Sequence, residues 1–378
     1  MRKKVKAGVC KAAQLRDGSR HPFGMLGGVT ALGGGELEVY RQIRNAVPIL
    51  DAAIGKLVRL TGGFTVSCGN RKAERELERF LKTVNAGRGQ VGLESFLAAF
   101  LQSMLVYGRA VGEMVVGGNE ITAVLWGDVT KLYVQEGTSA MEFAFGQWQD
   151  GEVKIFPRQN LILFAAWNPD EENPYGASVF RSMPFLVDVL LKIYSTIGTN
   201  WERAGNVRYS VVYKPGDASG QIDAQERSEQ IAEQWSQAMQ ESRHGVVRDF
   251  VAVGDVQIKV IGADGQILDS EVPVRQILEQ LVAKTGLPPF LLGLNWASTE
   301  RMSAQQTDLL TSELWAIRRT VEPVLLRICR LWMQLHGYAE EPEIVWDEIS
   351  LQDIVEQAHA ALYRAQAEKL TAEQEETT

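Results

Sequence analysis

The chain has 378 residues, 39 basic and 47 acidic side chains, a net charge of −8 and 45% hydrophobic residues. That apolar share excludes wholesale disorder, and the length allows two or three domains at roughly 100–200 residues each. Cys10, Cys68 and Cys329 are too far apart for a disulfide framework or a CxxC metal knuckle, and no apolar run approaches the ~18–20 residues that span a bilayer.

Charge is unevenly placed. Residues 1–22 hold seven basic side chains against Asp17 alone, a balance of +6, and residues 339–378 hold eleven carboxylates against Arg364 and Lys369, a balance of −9. These ends are either solvated and frayed or in touch with a charged partner. The basic start lacks an apolar h-region and predicts no signal peptide. Cysteine usage sets a reducing, cytoplasmic environment as the default.

In chain order, the glycines between Gly24 and Gly35 predict a linker and, with no preceding strand and no GxxxxGK[ST], no phosphate loop. Tyr40, Ile43, Val47, Leu50, Ile54 and Leu57 step by three and four and predict one helix, bent at Pro48. Phe64–Ser67 reads as a short strand. Leu77 to Val84 marks a second helix, and Leu93 to Met104 a third that ends near Tyr107–Gly108. From about residue 109, six short runs (110–116, 121–126, 131–135, 142–145, 153–156 and 161–166) are rich in β-branched and aromatic residues. Turn signals separate them and predict antiparallel hairpins. Asn173–Pro174–Tyr175–Gly176 predicts a turn that opens a helix running to Gly205, roughly 40 Å at ~1.5 Å per residue.

A small α/β insert follows: a strand at 208–213, a polar helix at 222–240, and a hairpin of 246–253 and 256–261. Val272 to Thr285 predicts a helix stopped by Gly286 and Pro288–Pro289. After a loop, Thr299 to Leu335 reads as a very long helix with Leu309, Leu310, Leu314, Ile317, Val321, Val324 and Leu325 as core and a kink at Pro323. A strand at 343–346 and a helix at 351–370 close the chain.

Catalytic chemistry is not apparent. His21, His244, His336 and His359 form no HExxH or HxH and stand near no Cys at ligand spacing. There is no GxSxG elbow and no GxGxxG after a strand. The pairs Glu171–Glu172 and Glu340–Glu341 lie in polar turns, and His336 at a helix end is suited to a structural role. No metal, cofactor or catalytic residue is assigned.

The run NPYGASVFRSMPFLVDVLLKIYSTIGTNWERAGNVRYSVVYKPG resembles the tailed-bacteriophage portal proteins, in which an N-P-x-G-x-S-like turn opens a long helix that leads to a strand. The run VRQILEQLVAKTGLPPFLLGLNWASTERMSAQQTDLL is similar to that family's second hallmark, a helix ending in a G-[VL]-P-P-x-[LM]-L-G turn before a polar loop and a very long helix. The resemblance spans roughly residues 36–365. It implies an α+β portal-type protomer with a helical and β wing, long stem helices, a small α/β clip insert and a short helical C-terminal crown. The divisions are a basic, Gly-rich arm at 1–35, the wing at 36–175, stem helix 1 at 176–205 and the clip at 206–262. Stem helix 2 follows at 263–286, the tunnel loop at 287–302, the returning helix and a strand at 303–350, and the reduced crown and acidic tail at 351–378.

The family implies a homo-oligomeric ring, usually of twelve subunits, at one capsid vertex of a virion assembled in the bacterial cytoplasm. Double-stranded DNA passes through it without sequence specificity. The implied partners are the terminase large subunit, a head-completion adaptor, and major capsid and scaffolding proteins, with no membrane. Carried over to this chain, Leu294, Asn295, Trp296, Ser298, Thr299, Glu300 and Arg301 face the DNA from the tunnel loop. Lys192, Thr196, Arg203, Arg275 and Glu279 line the stem, and Arg243, His244, Arg248 and Asp249 meet motor or adaptor on the clip. Trp296 either tips a constriction or packs into a neighbouring subunit; Arg301 either touches phosphate or pairs across the ring.

A conduit must hold DNA loosely, because each neutralised phosphate releases counterions and tightens binding. The segment 177–205 nets +1 and Leu294–Met302 nets zero, with no helix-turn-helix or zinc-finger signature. Two other classes remain open on sequence: a DNA- or nucleotide-processing enzyme with a dispersed site, and a non-conducting scaffold or adaptor of a phage-like particle.

Overall fold

The computed structural model describes residues 35–137, 142–149, 152–171, 173–205, 208–214, 255–261, 270–294 and 300–349, with a few positions between 229 and 236. They divide into two compact units, Leu32–Asp188 with Arg275–Thr378, and Met1–Ala31 with Val189–Val274. The basic arm, the predicted strand 246–253, most of the predicted helix 222–240 and the predicted helix 351–370 lie outside the described residues.

In the larger unit the first apolar face forms two helices, α1 (Glu36–Ala46) and α2 (Pro48–Thr61), in place of the single bent helix expected. The residue before a proline is pushed out of the α region, and Pro48 is at home as the first residue of a new helix. Val47 is accordingly extended, at φ −118 and ψ 95. Tyr40, Ile43, Leu50, Ile54 and Leu57 are still buried together, as their spacing requires.

Strand β1 (Phe64–Ser67) leads to α3 (Arg71–Thr83), whose Asn70 cap accepts from the backbone N–H groups of Lys72 and Ala73. The Glu74 carboxylate reaches back to accept from Cys68 N (2.9 Å), Ser67 Oγ (3.1 Å) and Gly69 N (3.2 Å). These donors, the Cys68 N–H first, hold its carboxyl below the ordinary carboxylate value. A carboxyl depressed by folding stabilises above its unfolded pKa, and that contribution is lost as pH falls through the folded one. Glu74→Gln is therefore expected to flatten the acid limb of a stability-against-pH curve below about pH 4.5, read by urea unfolding at pH 3.5 and pH 7.

The mainly apolar α4 (Leu93–Tyr107) buries Phe96, Phe100, Leu101 and Met104 and ends at Gly108 in the left-handed region. It packs on a five-stranded sheet ordered β3–β2–β5–β4–β9, built from β2 (Asn85–Gly87), β3 (Gln90–Val91), β4 (Arg109–Gly117), β5 (Glu120–Trp126) and β9 (Ile162–Ala166). A Cβ on Gly112 of β4 would stand 2.8 Å from the Phe96 ring, so this glycine sets how closely helix and sheet approach. The hairpin β2–β3 was not predicted, because two- and three-residue strands carry no period. A separate antiparallel sheet holds β6 (Leu132–Glu136), β7 (Phe143–Gln149) and β8 (Glu152–Ile155). Phe143 and Phe145 of β7 pack against Phe164 of β9, the first edge-on and the second tilted, with ring centroids 5.6 and 5.1 Å apart.

Helix α5 (Pro184–Gly205) starts eight residues later than the turn at Gly176 suggested. Ser178 bonds the preceding helix end, and Pro184 takes the first helical position and disfavours helix at Met183. At ~1.5 Å per residue α5 is about 33 Å long rather than 40.

In the smaller unit, β10 (Arg208–Lys214) pairs antiparallel with β11 (Asp255–Ile261), in register from Arg208↔Ile261 to Lys214↔Asp255. That long-range pairing was not predicted; only the neighbouring strand had been offered to β11.

Helix α6 (Glu271–Thr285) stops at Gly286, whose φ is +73. A 3₁₀ turn (Pro289–Leu292) follows, and α7 (Glu300–Leu335) begins inside the segment assigned to the tunnel loop, so residues 300–302 are helical. Helix α7 continues unbroken through Pro323, although proline brings no N–H for the Arg319 carbonyl. It buries Leu310, Leu314, Ile317, Val321, Val324 and Leu325. Leu309, read as core, is instead 69% exposed, one position outside the buried stripe. Strand β12 (Glu343–Trp346) returns to pair antiparallel with β1.

Cys329, buried on α7, has its thiol pushed up to about 12 by burial, whereas Cys68 is half-exposed. A disulfide reagent at pH 8 is expected to leave Cys329 unmodified in the folded protein and to label it only after denaturant is added, because the thiolate is the reacting form. Mass spectrometry of the labelled peptides checks this.

Candidate functional site

The first signature turn is a clasp on the end of α4. Asn173 Nδ2 donates to the Gly176 carbonyl (2.8 Å), closing the turn. Ser178 Oγ donates to Val106 O (2.6 Å) and accepts from Phe180 N (2.9 Å), while Val179 N donates to Leu105 O (3.1 Å). Carbonyls that a helix end leaves without partners are thereby satisfied. Trp167 N donates to Gly108 O and Ala177 N to Trp167 O, both at 2.7 Å. Gly108 at φ +78 and Gly176 at φ +95 both adopt backbone that side chains disfavour, and a Cβ on Gly176 would overlap the Gly108 carbonyl oxygen. The turn thus fixes the chain's path between β9 and α5.

Of the stem residues, Lys192 and Thr196 are exposed one turn apart on α5, and the Thr196 hydroxyl donates back to the Lys192 carbonyl at 2.9 Å. Arg203 is helical, but its side chain lies outside the described residues. Trp201, near the same end, is 64% exposed. Arg275 and Glu279 on α6 form an ion pair at 2.9 Å, so this stretch presents a neutralised pair rather than a free cation and a free anion. Such exposed pairs contribute about 0–1 kcal/mol to stability; their consequence here is electrostatic.

The second signature forms an elbow between α6 and α7. Leu294 N donates to Pro289 O and Gly293 N to Phe290 O, both at 3.1 Å, and Gly293 takes φ +76. Leu287 and Pro288 are buried, Phe290 is 41% exposed and Leu294 is half-buried. A cleft of about 300 Å³ opens beside the elbow between Glu279, Val282, Pro288, Gln306 and Leu309. The Gln306 Oε1 atom is buried and has no hydrogen-bond partner among the described residues.

Glu300 and Arg301 occupy the first turn of α7, with side chains outside the described set. Asn295, Trp296, Ser298 and Thr299 of the loop, and Arg243, His244, Arg248 and Asp249 of the insert, lie outside the described residues altogether. Lys192 and Thr196 share a helix face, and Arg275 meets Glu279; no other assigned site residues are brought together among those described.

Three of the residues set aside as non-catalytic have structural partners. Glu340 accepts from Asn70 Nδ2 at 2.7 Å, Glu341 pairs with Arg330 at 2.7 Å, and His336 stacks on Trp332 with ring centroids 4.0 Å apart. Among the described residues no three His, Cys, Asp or Glu gather to hold a metal ion, and no helix is long and apolar enough to cross a membrane.

Sequence reasoning missed Arg318. It is 1% exposed on α7, donates from Nε to Thr61 O at 2.8 Å, and lies 5.1 Å from the ring centroids of both Trp315 and Trp346. Burial lowers its pKa, partly offset by the field of Asp347. An arginine flanked by apolar steps of three and four was the available signal.

No protein-family model and no curated protein matches the sequence. Solved structures do. A chain in the neck of an empty gene transfer agent (GTA) particle, computed with C6 symmetry, is 18% identical, with 89% of this chain and 91% of that chain covered and a TM-score of 0.63. A chain in the virion of the native particle is 17% identical, with 90% of each chain covered and a TM-score of 0.62. An HK97 family phage portal protein from Corynebacterium diphtheriae is 10% identical over 81% of this chain and 95% of that one, at a TM-score of 0.46, too low to fix a fold. Over nearly its whole length, then, this chain has the fold of a chain found in the neck and virion of gene transfer agent particles.

Proposed function

We propose that this chain is a portal protein of a phage or phage-like particle, a non-enzymatic subunit of a ring through which double-stranded DNA is packaged and ejected. The observation that carries the reading is the fold likeness, over 89% of this chain, to a chain of a gene transfer agent neck, together with two signature runs that resemble portal proteins. That neck was computed with C6 and, in its native form, C12 symmetry; a twelvefold ring is the corresponding proposal for this chain.

In this reading α5 and α6 are stem helices, the insert around β10 and β11 is the clip that meets the terminase and later a head-completion adaptor, and the segment Leu294–Met302 narrows the bore. Capsid and scaffolding proteins surround the ring at one vertex of the virion. The Arg275–Glu279 pair supports a bore of low grip, since a guanidinium already held by a carboxylate releases fewer counterions from a passing phosphate. Exposed Phe185, Trp201, Val272 and Trp315 support burial against other copies, because large apolar side chains left in water favour association. A ring needs a heterologous contact that closes on itself.

Negative-stain imaging of the purified full chain tests the proposal. Closed rings of uniform subunit number are expected; a monodisperse monomer at high concentration overturns it.

A further inference from the structure

Helix α3 carries Arg71, Arg75 and Arg79 at two successive intervals of four residues. That spacing sets them along one line, about 6 Å apart axially at ~1.5 Å per residue. All three are exposed, and none of their guanidinium groups has a hydrogen bond or ion pair to another described residue.

The carboxylates of the same helix are engaged elsewhere. Glu74 holds the 67–69 loop; Glu76 accepts from the Tyr338 hydroxyl at 2.7 Å and lies 4.0 Å from Lys72; Glu78 pairs with Lys82 at 2.6 Å. The lysines are therefore paired and the arginines are not. For the helix alone this order is unfavourable. Like charges four residues apart repel, and Arg71 sits at the positive end of the helix dipole. The chain as a whole is acidic, so no general surplus of cations explains it.

We propose that this face of α3 is a docking line for the phosphate backbone of a double-stranded nucleic acid, bound without regard to sequence. Guanidinium forks grip phosphate through two parallel donors, which lysine cannot reproduce. Evenly spaced cations suit a polymer whose anions repeat at a fixed interval; carboxylates on an acidic protein surface follow no such interval. The helix offers no exposed Asn or Gln beside the arginines to read a base edge, since Asn70 is held by the cap and by Glu340. This goes beyond the channel reading and stands without it: none of the residues assigned to the bore lies on α3.

The test is fluorescence anisotropy of the full chain with a labelled duplex of mixed sequence across a salt series. Changing Arg71, Arg75 and Arg79 together to Gln is expected to weaken binding roughly 100-fold at 0.1 M salt and to flatten the log–log salt slope by about 2.7, the value for three phosphates. Changing all three to Lys is expected to restore most of the slope and only part of the affinity. The Gln variant is expected to melt at or above the wild-type temperature, because repulsion has been removed. Four results overturn the proposal: no duplex binding by the wild type, unchanged binding by the Gln variant, a lower melting temperature of that variant, or displacement of the duplex by a peptide of residues 351–378 more readily than by unlabelled duplex. The last would assign the arginines to the chain's own acidic tail.

Discussion

Gly176→Ala is expected to destabilise the protein by about 4 kcal/mol or more, a large part of the 5–15 kcal/mol that typically separates folded from unfolded chains. Two effects add. At φ +95 the backbone itself disfavours any L side chain, and the new Cβ would overlap the Gly108 carbonyl oxygen, with Trp167 N only 2.9 Å away. That carbonyl cannot retreat, because it accepts the Trp167 N–H at 2.7 Å. Gly118→Ala separates the two effects. Its φ is +63 and a Cβ there meets nothing within 4 Å, so only the conformational cost remains, about 1–2 kcal/mol. Urea unfolding of the two variants reads the difference as a shift in midpoint at unchanged slope. Equal midpoints would show that the clasp yields.

Arg318→Ala is expected to lose about 3 kcal/mol. It removes the donor to Thr61 O, leaves that carbonyl unpartnered beside the left-handed Gly62, and opens a cavity between the Trp315 and Trp346 rings. Arg318→Met is expected to lose roughly half as much: it refills the volume and removes a guanidinium whose Nη1 is buried without a partner among the described residues. The order Ala worse than Met, in the same urea series, is the informative result. The reverse order would mean that charge rather than packing holds α7 to the end of α2.

Secondary structure was legible where apolar residues kept a period over three or more turns. Helices α4, α6 and α7 lie where spacing placed them, and so do strands β4 to β9 except that β7 runs on to Gln149; α3 starts at Arg71, six residues before its first apolar mark. Long-range relations were not legible. Strand β12 pairs with β1 across most of the chain, and β10 with β11 across the whole insert, yet four- and seven-residue strands carry no mark of their partner. Prolines misled twice in one way. Pro48 reads from spacing as a bend and Pro184 falls inside the helix expected from Gly176, yet each is the first residue of a helix. Leu309 shows the limit of the stripe argument, since a single position of rotation takes a leucine from core to solvent.

The candidate site was legible as two signature runs, and the structure gives each a physical role. The asparagine, glycine and serine of the first close a turn and satisfy the carbonyls ending α4. The prolines and glycines of the second build an elbow with a left-handed residue at either end. What spacing did not disclose was pairing. Arg275 and Glu279 neutralise one another, while the arginines of α3 form no ion pair with the glutamates between them, which are held by a loop, a tyrosine and two lysines.

A cryo-electron-microscopy reconstruction of the purified assembly tests the ring by the distance of residues 294–302 from its symmetry axis. A ring with that segment at the inner wall of the bore is the predicted result. The same segment on the outer rim, or particles with no rotational axis, would rule out a DNA-conducting ring.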